Sequence, residues 1–521
     1  MNTPTYDLLT EPWIPVLRAD GSAAQVGLRE ALLQAHEIQG LTGETPLVVA
    51  ALYRLLLAVL YRALGAPVDV YDWEEIWRQK RFPAEALEAY LERWHARFDL
   101  FHPEHPFLQW PDERVRPKSV SALVPHMASG NNATLFDHHH AGEEVWLTPA
   151  EAARALLVAL GFGLAGLSGL KQKFTDAPWA RGAIFLAEGD SLFETLMFNY
   201  LPAHRFWGAG SSSDGDRPFW EAENPFAPAR KVPLGITDYL TWPNRAILLK
   251  SEATPQGWRV AQATIAPGLP LDARILDPYK HYRKDEKRGY LVLRFQEGRA
   301  LWRDSAALFQ LQTPGLRPPR PLDWLSYLVE EGLLLPQARY RFMALGMATD
   351  KRAKAKINFY REEHLPLPLD YLADPDLVHG LAVALELAEV AHRVLGQSLS
   401  RLATLLLSPT ADDPDGRKPD RKDVSNLTAH WGGRRFYWSA LETPFWELLL
   451  ALPGQGEKAL DAWRDTVYRT ARRAFERVAA SLGETPRVLK AVARAERQLL
   501  GALFCVFHPQ EEKCQRKKKR S

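Results

Sequence analysis

Cysteine is nearly absent: the 521 residues include two, Cys505 and Cys514, both near the C-terminal end and neither in a CxxC pair. Neither a disulfide framework nor a thiolate zinc site is expected, and this usage fits a reducing cytoplasm. Net charge is nearly absent too, since 65 Lys and Arg against 63 Asp and Glu leave +2. Any attraction for a polyanion must then come from local patches. The opening MNTPTYDLLTEPWIPV has no basic n-region and no apolar h-region, so no signal peptide is expected. The runs Leu55–Leu60 and Ala155–Leu170 are too short or too broken by glycine to span a bilayer. Internal repeats are missing, as are GxSxG, a spaced Ser/His/Asp set and a two-metal carboxylate cluster. No catalytic set and no cofactor are expected.

What is abundant is tryptophan, 17 residues, and proline, 38. The first suggests large flat buried or interfacial surfaces, the second long irregular connections. The length exceeds what one core usually serves, so two or more domains are expected. Leu28–Leu64 has helical periodicity and Trp73–Arg97 reads as two amphipathic helices. Phe101–Trp146 is loop-rich, Pro149–Leu160 reads as a helix, and Phe174–Asp304 is mixed, with strand-like runs such as GYLVLRF. After LPLPLDYLADP the pattern turns helical, in Asp376–Leu407, Phe436–Leu452, Glu457–Leu482 and Thr485–Phe507, with a polar loop at Ser408–Asn426. The fold class predicted is α+β: a mixed α/β domain over 1–370, then a four-helix bundle with a basic tail over 371–521.

Several patches point to nucleic acid. In Leu345–Pro368, LGMATDKRAKAKINFYREEHLPLP, Lys351, Arg352, Lys354 and Lys356 crowd together without an acidic residue, and Asn358, Phe359 and Tyr360 follow. Cations serve phosphates, while amides and rings serve bases. From charge alone a solvated helix face is the plainer reading. LGFGLAGLSGLKQKF carries Gly161, Gly163, Gly166 and Gly169 ahead of Lys171 and Lys173. It follows a helix and lacks the context of a dinucleotide or P-loop site, but glycines let backbone approach another polymer; helix contacts or turns are the plainer reading. Asp277–Asp304 is basic, with Tyr279 and Tyr282 interleaved among Lys280, Arg283 and Lys284, as base stacking requires or as an exposed hairpin allows. Arg469, Arg473 and Arg477, then Arg487, Lys490, Arg494 and Arg497, recur at helical spacing. His102 and His105 with the Asp137–His140 run offer an alternative, a metal-dependent hydrolase, although adjacent histidines in a strand diverge.

In order along the chain come YDLLTEPWIPVLRADG, HPEHPFLQ, SGNNATLF, GLSGLKQKFTDAPWARGA, DPYKHYRKD with RALWRD, and GMATDKRAKAKINFYREEHLPLP. This series resembles the CasA family, the large subunits of type I-E CRISPR Cascade complexes, from about Tyr6 to the final helices. The resemblance implies a non-catalytic subunit with a mixed N-terminal domain and a C-terminal four-helix bundle. It implies as partners the other Cascade subunits, the crRNA, double-stranded target DNA and a recruited helicase–nuclease, and no membrane. By the same resemblance SGNNATLF, with Asn131, Asn132 and Phe136, docks on the crRNA handle. The Gly161–Gly169 run faces the DNA minor groove at the protospacer-adjacent motif (PAM). The Thr349–Asn358 segment, with Lys351, Lys354, Lys356 and Asn358, is the strand-parting wedge, and Arg259 stands for the family's lysine finger. Arg473, Arg477, Lys490 and Arg494 offer the bundle's contacts to DNA backbone. Two departures stand out. The Asn/Gln pair of the family wedge is replaced by TDKRAKAKI, and the four-cysteine zinc site of some relatives has no cysteines here.

Overall fold

The computed structural model describes residues 4–125, 145–207, 215–310, 313–335, 337–350, 356–408, 410 and 416–508. The chain forms two compact units, one of residues 1–302 and 310–372, the other of 303–309 and 373–521.

The mixed unit is organised around the helix Pro46–Leu64. Pro46 fixes its first turn, and Gly65 at φ +79 ends it. Fifteen of its 19 residues are buried, so it is apolar on nearly every side. By length and composition alone such a helix could cross a membrane; here its apolar residues line the interior of the domain. Its one buried cation, Arg54, lies 4.8 Å from the ring centres of both Trp179 and Tyr239 and donates to the Leu240 carbonyl at 2.7 Å. Trp13, Trp73, Trp179, Trp242, Trp302 and Trp324 are among the largest fully buried side chains, which accounts for much of the tryptophan.

Among the described residues four small antiparallel sheets complete this unit. Strands β1 Ile14–Arg18, β2 Ala23–Val26 and β3 Ile38–Leu41 pair in the order β2-β1-β3. The Leu28–Leu64 stretch is therefore not one helical run: Leu28–Leu33 is a short helix and Ile38–Leu41 turns to pair with β1. β4 Lys118–Ser119 joins the hairpin of β6 Arg245–Thr254 and β7 Gly257–Pro267. β5 Ile184–Glu188 joins the hairpin of β11 Arg339–Thr349 and β12 Ile357–Pro368. β8 Tyr282–Asp285, β9 Gly289–Val292 and β10 Leu316–Arg317 pair in the order β10-β8-β9.

The other unit is helical: Pro375–Leu407, Arg421–Trp431, Gly433–Gln455, Glu457–Ala480 and Pro486–Phe507. Each long helix buries one stripe, such as Leu381, Leu385, Ala388, Leu395 and Leu399 in the first. Residues 421–426, read above as loop, open a helix capped by Asp420, whose carboxylate accepts the Lys422 N–H at 2.6 Å. None of that helix is buried, so hydrophobic periodicity had nothing to report. Cys514 lies outside the described residues.

Candidate nucleic-acid interface

The four glycines do not form one surface. Gly161 is buried in the last turn of the helix Pro149–Phe162, where its carbonyl accepts the Trp179 N–H at 2.8 Å. A capping box starts this helix: Thr148 Oγ1 accepts the Glu151 N–H at 3.2 Å and Glu151 accepts the Thr148 N–H at 2.8 Å. Gly163 caps the other end and packs on the buried Arg245 guanidinium. Gly161 is thus buried in a helix and Gly163 is packed against Arg245, which corrects their reading as exposed binding backbone.

The loop proper runs from Gly166 to Phe174, which exchange N–H···O bonds of 3.2 and 3.0 Å at its neck. Ser168 Oγ donates to the Gln172 carbonyl and accepts the Leu170 N–H at 3.0 Å. Gly169 has φ +82, a region other residues enter only at a cost. Leu167 is 84% exposed, and Lys171 and Lys173 are exposed on the returning limb.

Asp176 braces this neck. One of its oxygens accepts the Ala165 N–H at 2.8 Å, and the carboxylate takes two bonds of 3.0 Å from Arg181. Burial alone raises the Asp176 carboxyl, but the Arg181 and Ala165 hydrogen bonds outweigh it and hold it below the usual range. Arg181 Nη1 also donates to Thr349 Oγ1 at 2.6 Å. Thr349 is the last residue of β11. One guanidinium therefore ties the glycine loop to the tip of the β11–β12 hairpin.

The described residues on either side of the strip read as a wedge or a helix face, up to Asp350 and from Lys356, pair at the end of a two-stranded ribbon. Its register places Ala348 opposite Phe359 and Thr349 opposite Ile357, leaving Asn358 as the extra residue of a bulge. Bulges re-aim side chains, and Asn358 is exposed, as is Lys356. The Asp350 N–H donates to the Lys356 carbonyl at 2.9 Å. Lys351 and Lys354 lie outside the described residues, as do Asn131, Asn132, Phe136 and Asp137–His140.

Further along this hairpin His364 contacts Glu188 at 2.8 Å and Glu362 at 2.9 Å, and Arg341 contacts Glu188 at 3.0 Å. Hydrogen bonds to Glu188 and Glu362 push the His364 pKa up to about 9. A raised folded-state value stabilises the protein fully below the unfolded value of about 6.5. Stability is therefore expected to fall as pH rises from about 6.5 to about 9. Denaturant midpoints across that window check this, and His364→Gln is expected to flatten the dependence.

Arg259 lies on β7 opposite Glu252, and its Nη1 donates to the Trp258 carbonyl at 2.9 Å. The same hairpin carries Lys250 on β6, exposed and opposite Gln262. The sequence reading passed over it, because outward alternation in RAILLKSEAT marks any polar residue equally. Arg473 and Arg477 are exposed on the helix Glu457–Ala480, and Lys490 and Arg494 on Pro486–Phe507. Arg477 lies 4.9 Å from the Phe436 ring centre.

The DPYKHY segment departs from its reading. Tyr279 is fully buried and donates to the Asn199 carbonyl at 2.9 Å, while Tyr282 and Lys280 are buried as well. The two tyrosines are core residues because their ring faces fill the interior around Asp277, not because they stack on bases. His102 Nδ1 accepts the N–H groups of Glu104 at 3.3 Å and His105 at 3.1 Å, so that nitrogen closes a turn. Among the described residues no group of three or more His, Cys, Asp or Glu side chains is placed to hold a metal.

A mixed helix-and-sheet fold with a C-terminal helical region matches solved Cse1 structures. Residues 7–474 match the family of CRISPR-associated protein Cse1. The chain is 38% identical to CasA/Cse1 of Thermus thermophilus, over 96% of this chain and 98% of that protein. It superposes on Cse1 of Acidimicrobium ferrooxidans with TM-score 0.80, at 25% identity, covering 98% of this chain and 99% of that one. It also superposes on a chain of a CRISPR RNA-guided surveillance complex with TM-score 0.74, at 25% identity, covering 95% and 100%. The chain belongs to the CRISPR-associated Cse1 (CasA) family.

Proposed function

We propose that this chain is a non-catalytic, cytoplasmic subunit of an RNA-guided surveillance complex, and that it reads the PAM in double-stranded DNA, starts strand separation and presents the opened target to a helicase–nuclease. The observation that carries the reading is the shared guanidinium of Arg181, which ties the glycine loop to the ribbon tip in a member of the Cse1 family. A loop whose neck is Gly166 and whose exposed turn includes Gly169 suits the minor groove, where few groups separate A·T from G·C. The adjacent tip, with Lys356 and Asn358 exposed and Lys351 and Lys354 in the same strip, suits insertion between base pairs, which costs a few kcal/mol of unstacking per step. Pairing with the guide then supplies sequence specificity. In this reading Asn131, Asn132 and Phe136 contact the crRNA handle, Lys250 or Arg259 reaches the duplex from the β6–β7 hairpin, and Arg473, Arg477, Lys490 and Arg494 meet DNA backbone.

Complexes reconstituted with and without this chain, gel-shifted on targets with varied flanking bases, test the reading. Discrimination between flanks is expected only when the chain is present. Replacing Lys351, Lys354 and Lys356 together by Ala is expected to abolish it, and unchanged discrimination in that variant sinks the wedge assignment.

A further inference from the structure

The DPYKHY motif, set aside as a stacking surface, forms part of the wall of a cavity of about 600 Å³ in the mixed unit. Asp277, Pro278, Lys280 and Tyr282 contribute to it, together with Phe206 and Trp207. The β10-β8-β9 sheet also contributes to the lining. There Tyr282 pairs with Arg317 and with Val292, and Lys284 pairs with Tyr290. Directly opposed residues and those two apart share a face, so Tyr282, Lys284, Tyr290 and Arg317 project together. Arg317 lies 4.7 Å from the Tyr290 ring centre. Val232 and Leu234, 58% and 41% exposed, add apolar surface to the lining.

The charge is lopsided. Arg274, Lys280, Arg317 and Arg320 line the space against one carboxylate, Asp277. Asp277 is already engaged, accepting from Trp179 Nε1 at 2.7 Å, from the Tyr279 N–H at 2.7 Å and from the Tyr239 hydroxyl. Arg274 and Arg320 each keep a carboxylate partner outside the cavity lining, Asp272 at 2.6 Å and Asp323 at 3.1 Å. Lys280 is buried, and its Nζ meets the Pro178 carbonyl at 2.6 Å. Among the described residues Trp207 Nε1 is a buried donor with no acceptor. Arginines fork onto phosphate oxygens, and rings with an adjacent guanidinium stack on a base whatever its identity.

We propose that this cavity seats one unpaired nucleotide of a single strand, its base laid against Trp207 and Tyr290 and its phosphate held by Arg274, Arg317 and Arg320. Guide RNA and displaced target DNA present the same chemistry here. The site is separate from the glycine loop and ribbon tip, and the proposal does not rest on their reading.

Short oligouridylates carrying 5-iodouracil, one RNA and one DNA, irradiated with the full chain and mapped by mass spectrometry, provide the test. A cross-link at Trp207 or Tyr290 is expected, and the strand that gives it identifies the source; equal yields mean that the site reads base and phosphate alone. Arg317→Ala combined with Arg320→Ala, and separately Tyr290→Ser, are expected to weaken binding about tenfold in fluorescence anisotropy without changing the melting curve. The Lys351, Lys354 and Lys356 alanine variant is expected to keep the cross-link, which separates failure here from failure of PAM reading. Cross-links confined to other surfaces, affinity unchanged in both cavity variants, or equally strong competition by an acidic peptide overturns the proposal.

Discussion

Gly163→Ala is expected to destabilise the mixed unit by about 2–4 kcal/mol, with most of the cost arising through Arg245. The backbone at Gly163 has φ −56 and ψ 130, open to any residue, so space alone explains glycine here. A Cβ would overlap the Arg245 guanidinium. That side chain is no flexible bystander. Arg245 is 6% exposed, and burial pushes its pKa down to about 10. It donates to the Leu164 carbonyl at 2.8 Å and the Thr175 carbonyl at 3.3 Å, and its guanidinium sits 5.2 Å from the Phe174 ring centre. Those two carbonyls belong to the outgoing and returning limbs that flank the glycine loop, so displacing the cation frees both limbs. A double-mutant cycle in denaturant checks this: Gly163→Ala is expected to cost far less in an Arg245→Ala background. Equal cost in both backgrounds rejects the mechanism. Gly169 provides the contrast, because a Cβ there meets nothing within 4 Å and only its φ of +82 favours glycine.

Arg303→Ala is expected to lower the stability of the helical unit by about 3–5 kcal/mol. Arg303 is 8% exposed at its side chain, contacts Glu389 at 2.6 Å and lies 3.6 Å from the Trp438 ring centre. Glu389 is 23% exposed, so removing the guanidinium leaves a largely desolvated carboxylate without this cation. Adding Glu389→Ala to Arg303→Ala is expected to restore part of the loss in thermal melts, since the desolvated carboxylate is then gone. A double variant as unstable as the sum of the two single variants rejects this account. The interaction links 303–309 to a helix that begins some seventy residues later, and it belongs to no periodic pattern along the chain.

Much of the candidate interface was legible because glycine, lysine and order along the chain are properties of the sequence. The lysine strip, the glycine run and the helical final third each leave a local mark. The failures have physical causes as specific. Gly161 and Gly163 look like Gly166 and Gly169 in sequence; only the structure buries the first within a helix and packs the second on Arg245. Tyr279, Lys280 and Tyr282 look like a stacking surface because alternating rings and cations carry no mark of burial. Arg421–Trp431 buries nothing, so its helix is invisible to hydrophobic spacing, and Lys250 is one outward polar residue among several.

By itself, then, the sequence determined the α+β class, the helical C-terminal third and the family, because periodicity, composition and motif order are local or ordered along one dimension. Only the tertiary structure decided that Arg181 joins the glycine loop to the ribbon tip, that Arg245 underlies that loop, and that DPYKHY borders a basic, aromatic cavity. Each of these joins side chains far apart in the chain, and the long-range strand pairing and burial that bring them together are written in no single segment.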